Sequence, residues 1–316
     1  MAMVINKEEI QSVINDIDVV AAMEEGFIAY SNGQTVVPPV GELIFDDPKG
    51  DTHIKYGYIK QDDFYVIKIA SGFYDNPKLG IASSQGLMLV FNQKTGQTVA
   101  VLLDDGMLTD IRTAAAGALA AKYFAPEKVQ AIGIIGTGIQ ARMQLEYLLK
   151  VTDCKKVWLW GRSETNAQLF KAALKEEFDI SIAASPSEVA RNCNLIVTTT
   201  PATSPLLLAK DIQPGTHITA VGSDTSGKQE LESGILEKAD LVIADSIPQS
   251  KSRGEVYQAV KDGSILVDKI TELGAAIQND LLQRTSEDQI TVVDLTGVAV
   301  QDIMIAKSVY LKFKKQ

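Results

Sequence analysis

Val129-Gln-Ala-Ile-Gly-Ile-Ile-Gly-Thr-Gly-Ile-Gln-Ala141 is the stretch that decides the fold of this chain. Its isoleucine-rich beginning predicts a strand that is buried on both faces, and the residues from 142 to 149 have helical spacing. The glycine turn between them has the GxGxxA spacing of a dinucleotide-binding fingerprint. Gly136 permits the tight turn, Gly138 lets the backbone approach a pyrophosphate, and Ala141 keeps the helix close to the strand. The N–H groups at the start of that helix favour an anion.

After this turn, short apolar segments alternate with segments of helical composition. The predicted strands are 156–160, 180–184, 195–199, 217–221 and 241–244. This alternation predicts an α/β fold with a doubly wound parallel sheet of the Rossmann type. It favours a nucleotide site over the alternative reading of the glycine turn, which is a plain strand-turn-helix.

The N-terminal part of the chain predicts a different architecture. Residues 6 to 31 have the pattern of one helix, which Asn6 and Glu9 would begin as a capping box. Extended runs follow at 42–45, 52–60, 64–70 and 86–91, and the last should form a hairpin with 98–103. The prediction is therefore a helix followed by a mostly antiparallel sheet. A length of 316 residues also favours two domains over one.

Composition and charge exclude several classes of protein. The net charge is -10 and no segment concentrates basic residues, which argues against a nucleic-acid partner. No apolar run is long enough to span a bilayer, and charged residues near the start predict no secretory leader. Cys154 and Cys193 form no motif, which fits a reducing cytoplasm.

Lys68 is the first candidate for a functional side chain. The period of two in a strand puts it on the same face as Val66 and Ala70, where an ammonium group would lose water unless it meets an anion. The alternative is a lysine on an edge strand that reaches back to solvent. Lys55 lies on the face opposite Tyr56, and for this second lysine we expect a solvated position.

Arg112 is the second candidate. An alanine-rich helix is predicted to begin at Thr109 as its N-cap, which puts Arg112 in the first turn, where the helix dipole disfavours a cation. An anion such as a substrate carboxylate or a cofactor phosphate would explain the position. The alternative is a surface ion pair with Asp110 or another acid.

Arg162 and Ser163 follow the strand after the fingerprint. Many NAD enzymes carry an acid there for the ribose hydroxyls, whereas this chain offers none. The pair suits a 2′-phosphate, so NADP is weakly favoured and NAD stays possible. The alternative is an arginine that stacks on adenine and binds no phosphate.

Asp224 follows a predicted parallel strand, at the edge of the sheet where ligands bind. This position would bring its carboxylate close to a nicotinamide ring. The alternative is a turn aspartate that bonds its own backbone. His53 and His217 lie in predicted strands without a partner motif, so we expect structural roles for both and no metal site.

These residues lie in motifs that occur in one family. The chain resembles the ornithine cyclodeaminase/mu-crystallin family over nearly its whole length, and within it the branch that contains ectoine-utilisation proteins and is similar to iminosuccinate reductases. The stretches that carry the resemblance begin at Val66, Leu108, Gly136, Val221 and Asp294.

The resemblance implies a homodimer in which a Rossmann domain, residues 121–296, is inserted into a substrate-binding and dimerisation domain. The second domain would be built from residues 1–120 and 297–316. The resemblance implies that Lys68 and Arg112 face the substrate carboxylate or the cofactor, and that Asp224 is the catalytic acid or base. Lys228 would contact the cofactor or order the Asp224 loop, and Thr296 would lie beside the nicotinamide.

Candidate residues fall into three groups. For catalysis they are Asp224 and Lys68, and for substrate binding Lys68, Arg112 and Gly297. Cofactor contacts are expected from Arg112, Gly136, Thr137, Gly138, Ile139, Gln140, Arg162, Ser163, Thr199, Gly222, Ser223, Lys228 and Thr296.

The function expected from this pattern is an NAD(P)H-dependent reductase of a small α-imino acid in the cytoplasm. A deaminating cyclase that recycles bound NAD and a non-catalytic NAD(P)H-binding protein are the alternatives. Cyclodeaminases tend to have a substrate-binding arginine after the first helix, where this chain has Val40 and Gly41, and the difference argues against ornithine as substrate.

Overall fold

The structure, a computed structural model, describes residues 2–73 and 75–315. The chain divides into two compact units, of which unit 1 is Met1–Arg112 with Val298–Gln316 and unit 2 is Thr113–Gly297. The sequence predicted boundaries after residues 120 and 296. The first boundary differs because the alanine-rich helix continues through both positions.

The helices and strands are numbered here in chain order. The helices are α1 (Lys7–Ile14), α2 (Val19–Ser31), α3 (Met107–Phe124), α4 (Ile139–Leu148), α5 (Glu164–Leu174), α6 (Pro186–Asn192), α7 (Ser233–Lys238), α8 (Gly254–Lys261), α9 (Leu273–Ile277) and α10 (Ala299–Phe313). The strands are β1 (Met3–Ile5), β2 (Thr35–Val36), β3 (Gly41–Asp46), β4 (Lys49–Ile59), β5 (Phe64–Phe73), β6 (Ser84–Asn92), β7 (Thr98–Leu102), β8 (Ile132–Ile135), β9 (Lys156–Trp160), β10 (Asp179–Ile182), β11 (Leu195–Thr198), β12 (Thr203–Leu207), β13 (His217–Ala220), β14 (Gln229–Leu231), β15 (Leu241–Ala244), β16 (Ile270–Glu272) and β17 (Thr291–Asp294).

The single helix predicted for residues 6 to 31 is wrong, because two helices occupy this segment. The capping box is confirmed, with Asn6 N donating to Glu9 Oε2 at 2.8 Å and Glu9 N donating to Asn6 Oδ1 at 3.0 Å. A second cap starts α2, where the Asp18 side chain accepts a hydrogen bond from Ala21 N at 3.1 Å. A capping aspartate stabilises a new helix start and so explains the break.

Unit 1 is built on a sheet with the order β1-β7-β6-β5-β4-β2, and β3 also pairs with β4. The predicted hairpin between β6 and β7 is confirmed, and β1, which the sequence analysis missed, adds in parallel to β7. Helix α10 packs against β4, β5 and β6. The sheet face with Val66, Met88 and Val90 is therefore buried.

Unit 2 contains an eight-stranded parallel sheet with the order β10-β9-β8-β11-β13-β17-β15-β16. All six predicted strands from the fingerprint to residue 244 are present, and β17 lies between β13 and β15. The sequence pattern does not predict β16 or the separate pair of β12 and β14. Because β9 and β11 flank β8, the strand order reverses at the glycine turn, which is where such sheets bind ligands.

Candidate active site

A buried ionic cluster occupies the core of unit 1. Lys68 is only 2% exposed, and its Nζ lies 3.4 Å from Asp302 Oδ1 on α10. Arg112 is 5% exposed, and its Nε lies 3.1 Å from the same oxygen. Both alternatives from the sequence are thereby wrong, since β5 lies between β4 and β6 rather than at an edge and Arg112 is not on the surface. Two predicted site residues thus share one buried carboxylate.

Several polar atoms of this cluster have no hydrogen-bond partner among the described residues. Arg112 Nη1 donates to Gln301 Oε1 at 3.1 Å, whereas Arg112 Nε and both Asp302 carboxylate oxygens make no hydrogen bond to the described residues. The contacts between Asp302 and the two cations are therefore close but poorly aligned for hydrogen bonding. Arg112 Nε is therefore a buried donor that a ligand carboxylate could satisfy, and the two cations outnumber the single acid of the cluster.

Asp104 corrects the predicted start of the long helix. Helix α3 begins at Met107, and Asp104 Oδ2 accepts a hydrogen bond from Leu108 N at 2.8 Å, so Thr109 is not the N-cap. Arg112 consequently lies more than one turn inside the helix. Burial raises the pKa of the Asp104 carboxyl, and the Leu108 N–H opposes that rise.

The ammonium group of Lys68 is poised to lose its proton in mildly alkaline solution. Burial lowers the pKa of Lys68 to about 8, with Asp302 opposing the decrease and Arg112 adding to it. Lys68 is therefore still largely protonated at neutral pH. Burying a charged ammonium group costs free energy, and a buried cation of this kind is typical of a functional site.

Lys55 belongs to the same sheet face, and its predicted solvated position is wrong. It is 8% exposed, and in the antiparallel register of β4 and β5 it lies directly opposite Lys68. The strand period correctly put Lys55 opposite Tyr56, but it is Tyr56 that is exposed, at 38%. The antiparallel pairing of Lys55 with Lys68 puts both side chains on one sheet face, and this pairing was the signal for the burial of Lys55.

The glycine loop of unit 2 has the geometry of a phosphate cradle. Gly136 has φ 127°, its N–H donates to Trp160 O at 2.8 Å, and an added Cβ would collide with Thr199 Oγ1. Gly138 is the N-cap of α4, and apart from its chain neighbours no described residue has an atom within 4 Å of a Cβ built there. The backbone at Gly138 is therefore open to an anion at the helix N-terminus, so the loop fits a pyrophosphate.

Residues around this loop differ in their exposure. Ala141 is fully buried, and Ile139 is 56% exposed. A cavity of about 300 Å³ lies beside the loop, and its lining includes Thr137, Gly138 and Ile139. Gln140, by contrast, has a partner within α4, because its Oε1 accepts a hydrogen bond from Gln144 Nε2 at 3.4 Å.

Arg162 and Ser163 follow β9, the neighbour of β8, and both are exposed. The Ser163 hydroxyl accepts a hydrogen bond from Asn166 N at 3.3 Å and so caps α5. Part of the reason for a serine at this position is therefore structural, and Arg162 is the member of the pair that is more available to a ligand.

The Asp224 loop follows β13 and is closed by its own side chains. Ser223 Oγ donates to Lys228 O at 2.8 Å, and Lys228 Nζ donates to Asp224 Oδ1 at 2.6 Å. Arg253 Nη1 also lies 3.5 Å from Asp224 O. The Asp224 carboxylate thus meets a lysine side chain, which gives Lys228 a physical basis for ordering this loop.

Thr296 and Gly297, after β17, are fixed by residues that the sequence analysis missed. Asp245 accepts hydrogen bonds from Thr296 Oγ1 at 2.8 Å and from Gly297 N at 2.7 Å. Gln249 Nε2 donates to Thr296 Oγ1 at 2.9 Å and to Gly297 O at 3.1 Å. Asp245 directly follows a predicted parallel strand, and this position at the ligand-binding edge of the sheet was the signal by which it could have been found.

The histidines have structural contacts. His217 is buried and bonds Thr291 Oγ1 at 2.8 Å and Thr219 Oγ1 at 2.9 Å, and burial lowers its pKa to about 3. His53 lies 3.5 Å from both Glu42 and Asp51. Among residues 2–73 and 75–315, no group of three or more His, Cys, Asp or Glu is arranged to hold a metal ion. In the same residues, no helix is long and apolar enough to cross a membrane.

Together, the parallel sheet, the glycine cradle and the buried cationic cluster define a class: a Rossmann-type dinucleotide-binding protein with a second unit built from both chain ends. The sequence pattern of the ornithine cyclodeaminase/mu-crystallin family matches residues 1–316. The chain belongs to this family.

Three solved structures resemble this fold closely. An archaeal alanine dehydrogenase dimer with bound NAD has a TM-score of 0.90 and 34% identity, covering 99% of this chain and 96% of that chain. The Δ1-pyrroline-2-carboxylate reductase of Thermococcus litoralis, with NADH and L-proline, has a TM-score of 0.92 and 26% identity over 99% and 98% of the two chains. The iminosuccinate reductase of Paracoccus denitrificans, with NAD+, has a TM-score of 0.89 and 28% identity over 99% and 97%.

We predict that affinity for a carboxylate ligand falls as pH rises through about 8, because Lys68 loses its proton there. Lys68→Met should weaken binding about tenfold or more at pH 7, since a charged hydrogen bond is worth about 1.5–3 kcal/mol, and should remove this pH dependence. The measurement is the inhibition constant of a non-reacting carboxylate between pH 6.5 and 9. Lys94→Met, at a lysine whose side chain is 77% exposed, is the matched control. Equal affinity in Lys68→Met and in wild type would contradict the assignment.

Proposed function

We propose that this protein is an NAD(P)H-dependent reductase of a small α-imino acid, which makes it an amino-acid dehydrogenase in the reverse direction. The observation that carries the proposal is the pair of buried cations, Lys68 and Arg112, that share a single acid at 3.4 and 3.1 Å. Such a cluster suits the carboxylate that every α-imino acid carries. The oxidoreductase class is supported by the three similar structures, which are all of NAD(H)-containing dehydrogenases or reductases.

In the proposed mechanism, unit 1 binds the substrate. Lys68 and Arg112 hold the carboxylate through charged hydrogen bonds, and Asp302 keeps both side chains oriented. Lys55, on the same sheet face, adds positive charge that favours an anionic substrate. Because the cluster is dry, these interactions are stronger than they would be in water.

Unit 2 binds the cofactor, and the glycine loop at the start of α4 holds its pyrophosphate. A bound dinucleotide would supply the hydride that reduces the imine carbon. Asp224 supplies or steadies the proton on the imine nitrogen as the carbon is reduced, and Lys228 holds the Asp224 carboxylate in place. Thr296 and Gly297, held by Asp245 and Gln249, are the residues that would lie beside the nicotinamide.

A deaminating cyclase is the second candidate, favoured by the family to which the chain belongs. Such an enzyme oxidises an amino acid, releases ammonia on cyclisation and re-reduces the product with the same cofactor. A panel of 2-oxo acids with ammonia, cyclic imines and ornithine separates the candidates. Net oxidation of NAD(P)H supports the reductase, ammonia release from ornithine without net oxidation supports the cyclase, and cofactor binding with neither activity supports a non-catalytic binder.

A homodimer in the cytoplasm is also part of the proposal. The sheet face of unit 1 opposite α10 is apolar and only partly buried; it is formed by Ile54, Tyr56, Ile67, Ile69, Leu87, Leu89 and Val101. A large apolar face of this kind is typical of a subunit interface. The archaeal alanine dehydrogenase structure is a dimer. Two free cysteines, Cys154 and Cys193, fit a reducing compartment.

The dimer is tested by Leu89→Glu, which puts a charge in the middle of this face. We expect light scattering after size exclusion to give the mass of one chain, 34.2 kDa, for this variant and of two chains for wild type. Leu169→Glu, at a leucine that is 64% exposed on α5, is the control and should stay dimeric. A dimeric, normally folded Leu89→Glu would rule out this face as the interface.

The role of Asp224 is tested by Asp224→Asn, which keeps the shape of the side chain but cannot exchange a proton. Turnover should fall by about 10²–10⁴-fold, the usual contribution of general acid–base catalysis, while NAD(P)H still binds. Lys228→Met separates loss of the ion pair from loss of the proton, and Asp153→Asn, at an exposed loop aspartate, is a neutral control. Turnover of Asp224→Asn within a few-fold of wild type would make Asp224 a turn residue.

Cofactor choice is tested at Arg162. We expect wild type to prefer NADPH, because an exposed arginine replaces the usual ribose-binding acid. Arg162→Ala should lower kcat/KM for NADPH by about tenfold, the size of one charged hydrogen bond, and leave NADH nearly unchanged. Equal efficiency with both cofactors in both proteins would refute a 2′-phosphate contact.

A further inference from the structure

Glu230 is a fully buried carboxylate that connects the ends of two neighbouring strands in unit 2. Its Oε1 accepts hydrogen bonds from Thr200 N at 2.6 Å and from Thr200 Oγ1 at 2.7 Å. Its Oε2 accepts a hydrogen bond from Gly222 N at 2.9 Å. Thr200 follows β11 and Gly222 follows β13, and these strands are adjacent and parallel. One side chain therefore ties together two loops at the ligand-binding edge of the sheet.

Gly222 is the first residue of the loop that carries Asp224, so Glu230 acts at the base of that loop. A Cβ at Gly222 would collide with Thr200 O, and it would also lie 2.5 Å from Glu230 Oε2. The contact consequently depends on a glycine at this position and leaves little room for rearrangement. The loop beyond it is closed by Ser223 and Lys228, so Glu230 supplies the contact that fixes the base of an otherwise self-closed loop.

The Thr200 N–H, the Thr200 hydroxyl and the Gly222 N–H all donate to the Glu230 carboxylate, which favours its ionised form. A proton would occupy one acceptor site of the carboxylate and remove the negative charge that strengthens all three hydrogen bonds. Protonation would therefore loosen the hold of Glu230 on both loops. An isosteric amide would have the same effect, because it replaces one acceptor oxygen with a donor.

The surroundings of Glu230 make its charge costly. Burial raises the pKa of Glu230 to about 7, and the Thr200 and Gly222 donors oppose the rise. Glu255 on α8 faces it, accepting from Glu230 N at 2.7 Å, and burial raises the pKa of Glu255 as well. Burial also raises the pKa of Asp294 on β17 to about 8, with a further contribution from Asp245, so this neighbour of Glu255 is mostly protonated at neutral pH.

The raised pKa of Glu230 makes the free energy of unfolding depend on pH. Between pH 4.5 and about 7 the folded chain binds more protons at Glu230 than the unfolded chain does, so its ionisation lowers the free energy of unfolding as pH rises through this window. Keeping the Glu230 carboxylate ionised at neutral pH therefore lowers the free energy of unfolding. Costs of this kind are typical of functional positions.

We propose that Glu230 is a positioning residue for the Asp224 loop and that it holds the loop in its working geometry only when it is ionised. The proposal rests on the proposed function, because it assigns the proton step to Asp224. Glu230 touches neither substrate nor cofactor in this account, and it acts through Gly222 and Thr200. Activity should consequently have an acid-side decline that belongs to Glu230.

Glu230→Gln tests the proposal, with Glu232→Gln as the matched control. Glu232 lies two residues along the chain and is exposed, and its carboxylate accepts from Ala209 N at 2.6 Å, away from the Asp224 loop. Three quantities are measured between pH 5.5 and 8.5: kcat, the dissociation constant of NAD(P)H, and amide hydrogen exchange of residues 222–228 corrected for its intrinsic pH dependence.

We expect the kcat of wild type to decline below pH 7. The kcat of Glu230→Gln at pH 8 should be about tenfold lower, as for the loss of one charged hydrogen bond, and this decline should be absent. Cofactor affinity should stay within about threefold, and exchange in 222–228 should be fast at every pH in the variant but only at low pH in wild type. Glu232→Gln should match wild type throughout.

Two results would overturn the inference. One is a Glu230→Gln protein with the kcat and the acid-side decline of wild type, and the other is loop exchange that is independent of pH in wild type. If wild type reduces no imine at all, the proposed function fails, but the exchange measurement still decides the role of Glu230. Because the wild-type exchange profile needs no substitution, a poorly folding variant would not prevent the test.

Discussion

The burial of two cations against one carboxylate is the constraint on which unit 1 depends. Lys68 on β5 and Arg112 on α3 both contact Asp302, which lies near the start of α10. Removing Asp302 would leave two buried cations without their acid, and breaking a buried ion pair in this way costs about 3–5 kcal/mol. The C-terminal helix must therefore return to the N-terminal sheet, which is why unit 1 is built from both ends of the chain.

Buried acids have the corresponding role in unit 2, where they fix the loops at the carboxyl ends of the parallel strands. Asp245 holds Thr296 and Gly297, whereas Glu230 holds Thr200 and Gly222. Each of these carboxylates accepts hydrogen bonds from backbone N–H groups, which an irregular loop cannot pair within itself. The glycine loop instead leaves the backbone at Gly138 accessible at the start of α4, as a phosphate site requires.

Much of this architecture is predictable from the sequence because its signals are local. Buried parallel strands appear as short apolar runs, so the sheet from β8 to β15 was predicted almost strand by strand. Lys68 was recognisable because a charged residue interrupts an apolar strand face. The candidate cofactor residues follow predicted strands, and this order along the chain puts them at one edge of a parallel sheet.

The errors concern contacts between segments that are distant in sequence. Asp302 was missed because its partners lie on other elements, and Gln301, the residue before it, meets Arg112 across 189 residues. Lys55 was wrongly predicted to be solvated. Its burial depends on the register of β4 with β5 and on the cover that α10 supplies, and neither is visible in the local sequence. Glu230 belongs to the short pair of β12 and β14, which has no clear pattern of its own.

The central claim is that the protein transfers hydride from a dinucleotide to the α-carbon of a carboxylate-bearing imine. NAD(P)H deuterated at the nicotinamide C4 position, supplied with ammonia and a 2-oxo acid that wild type reduces, tests it directly. We predict one deuterium at the α-carbon of the amino-acid product for each cofactor molecule oxidised, measured by mass spectrometry and proton NMR. Product that forms without deuterium from either C4-labelled stereoisomer, or while the cofactor stays reduced, would contradict this account.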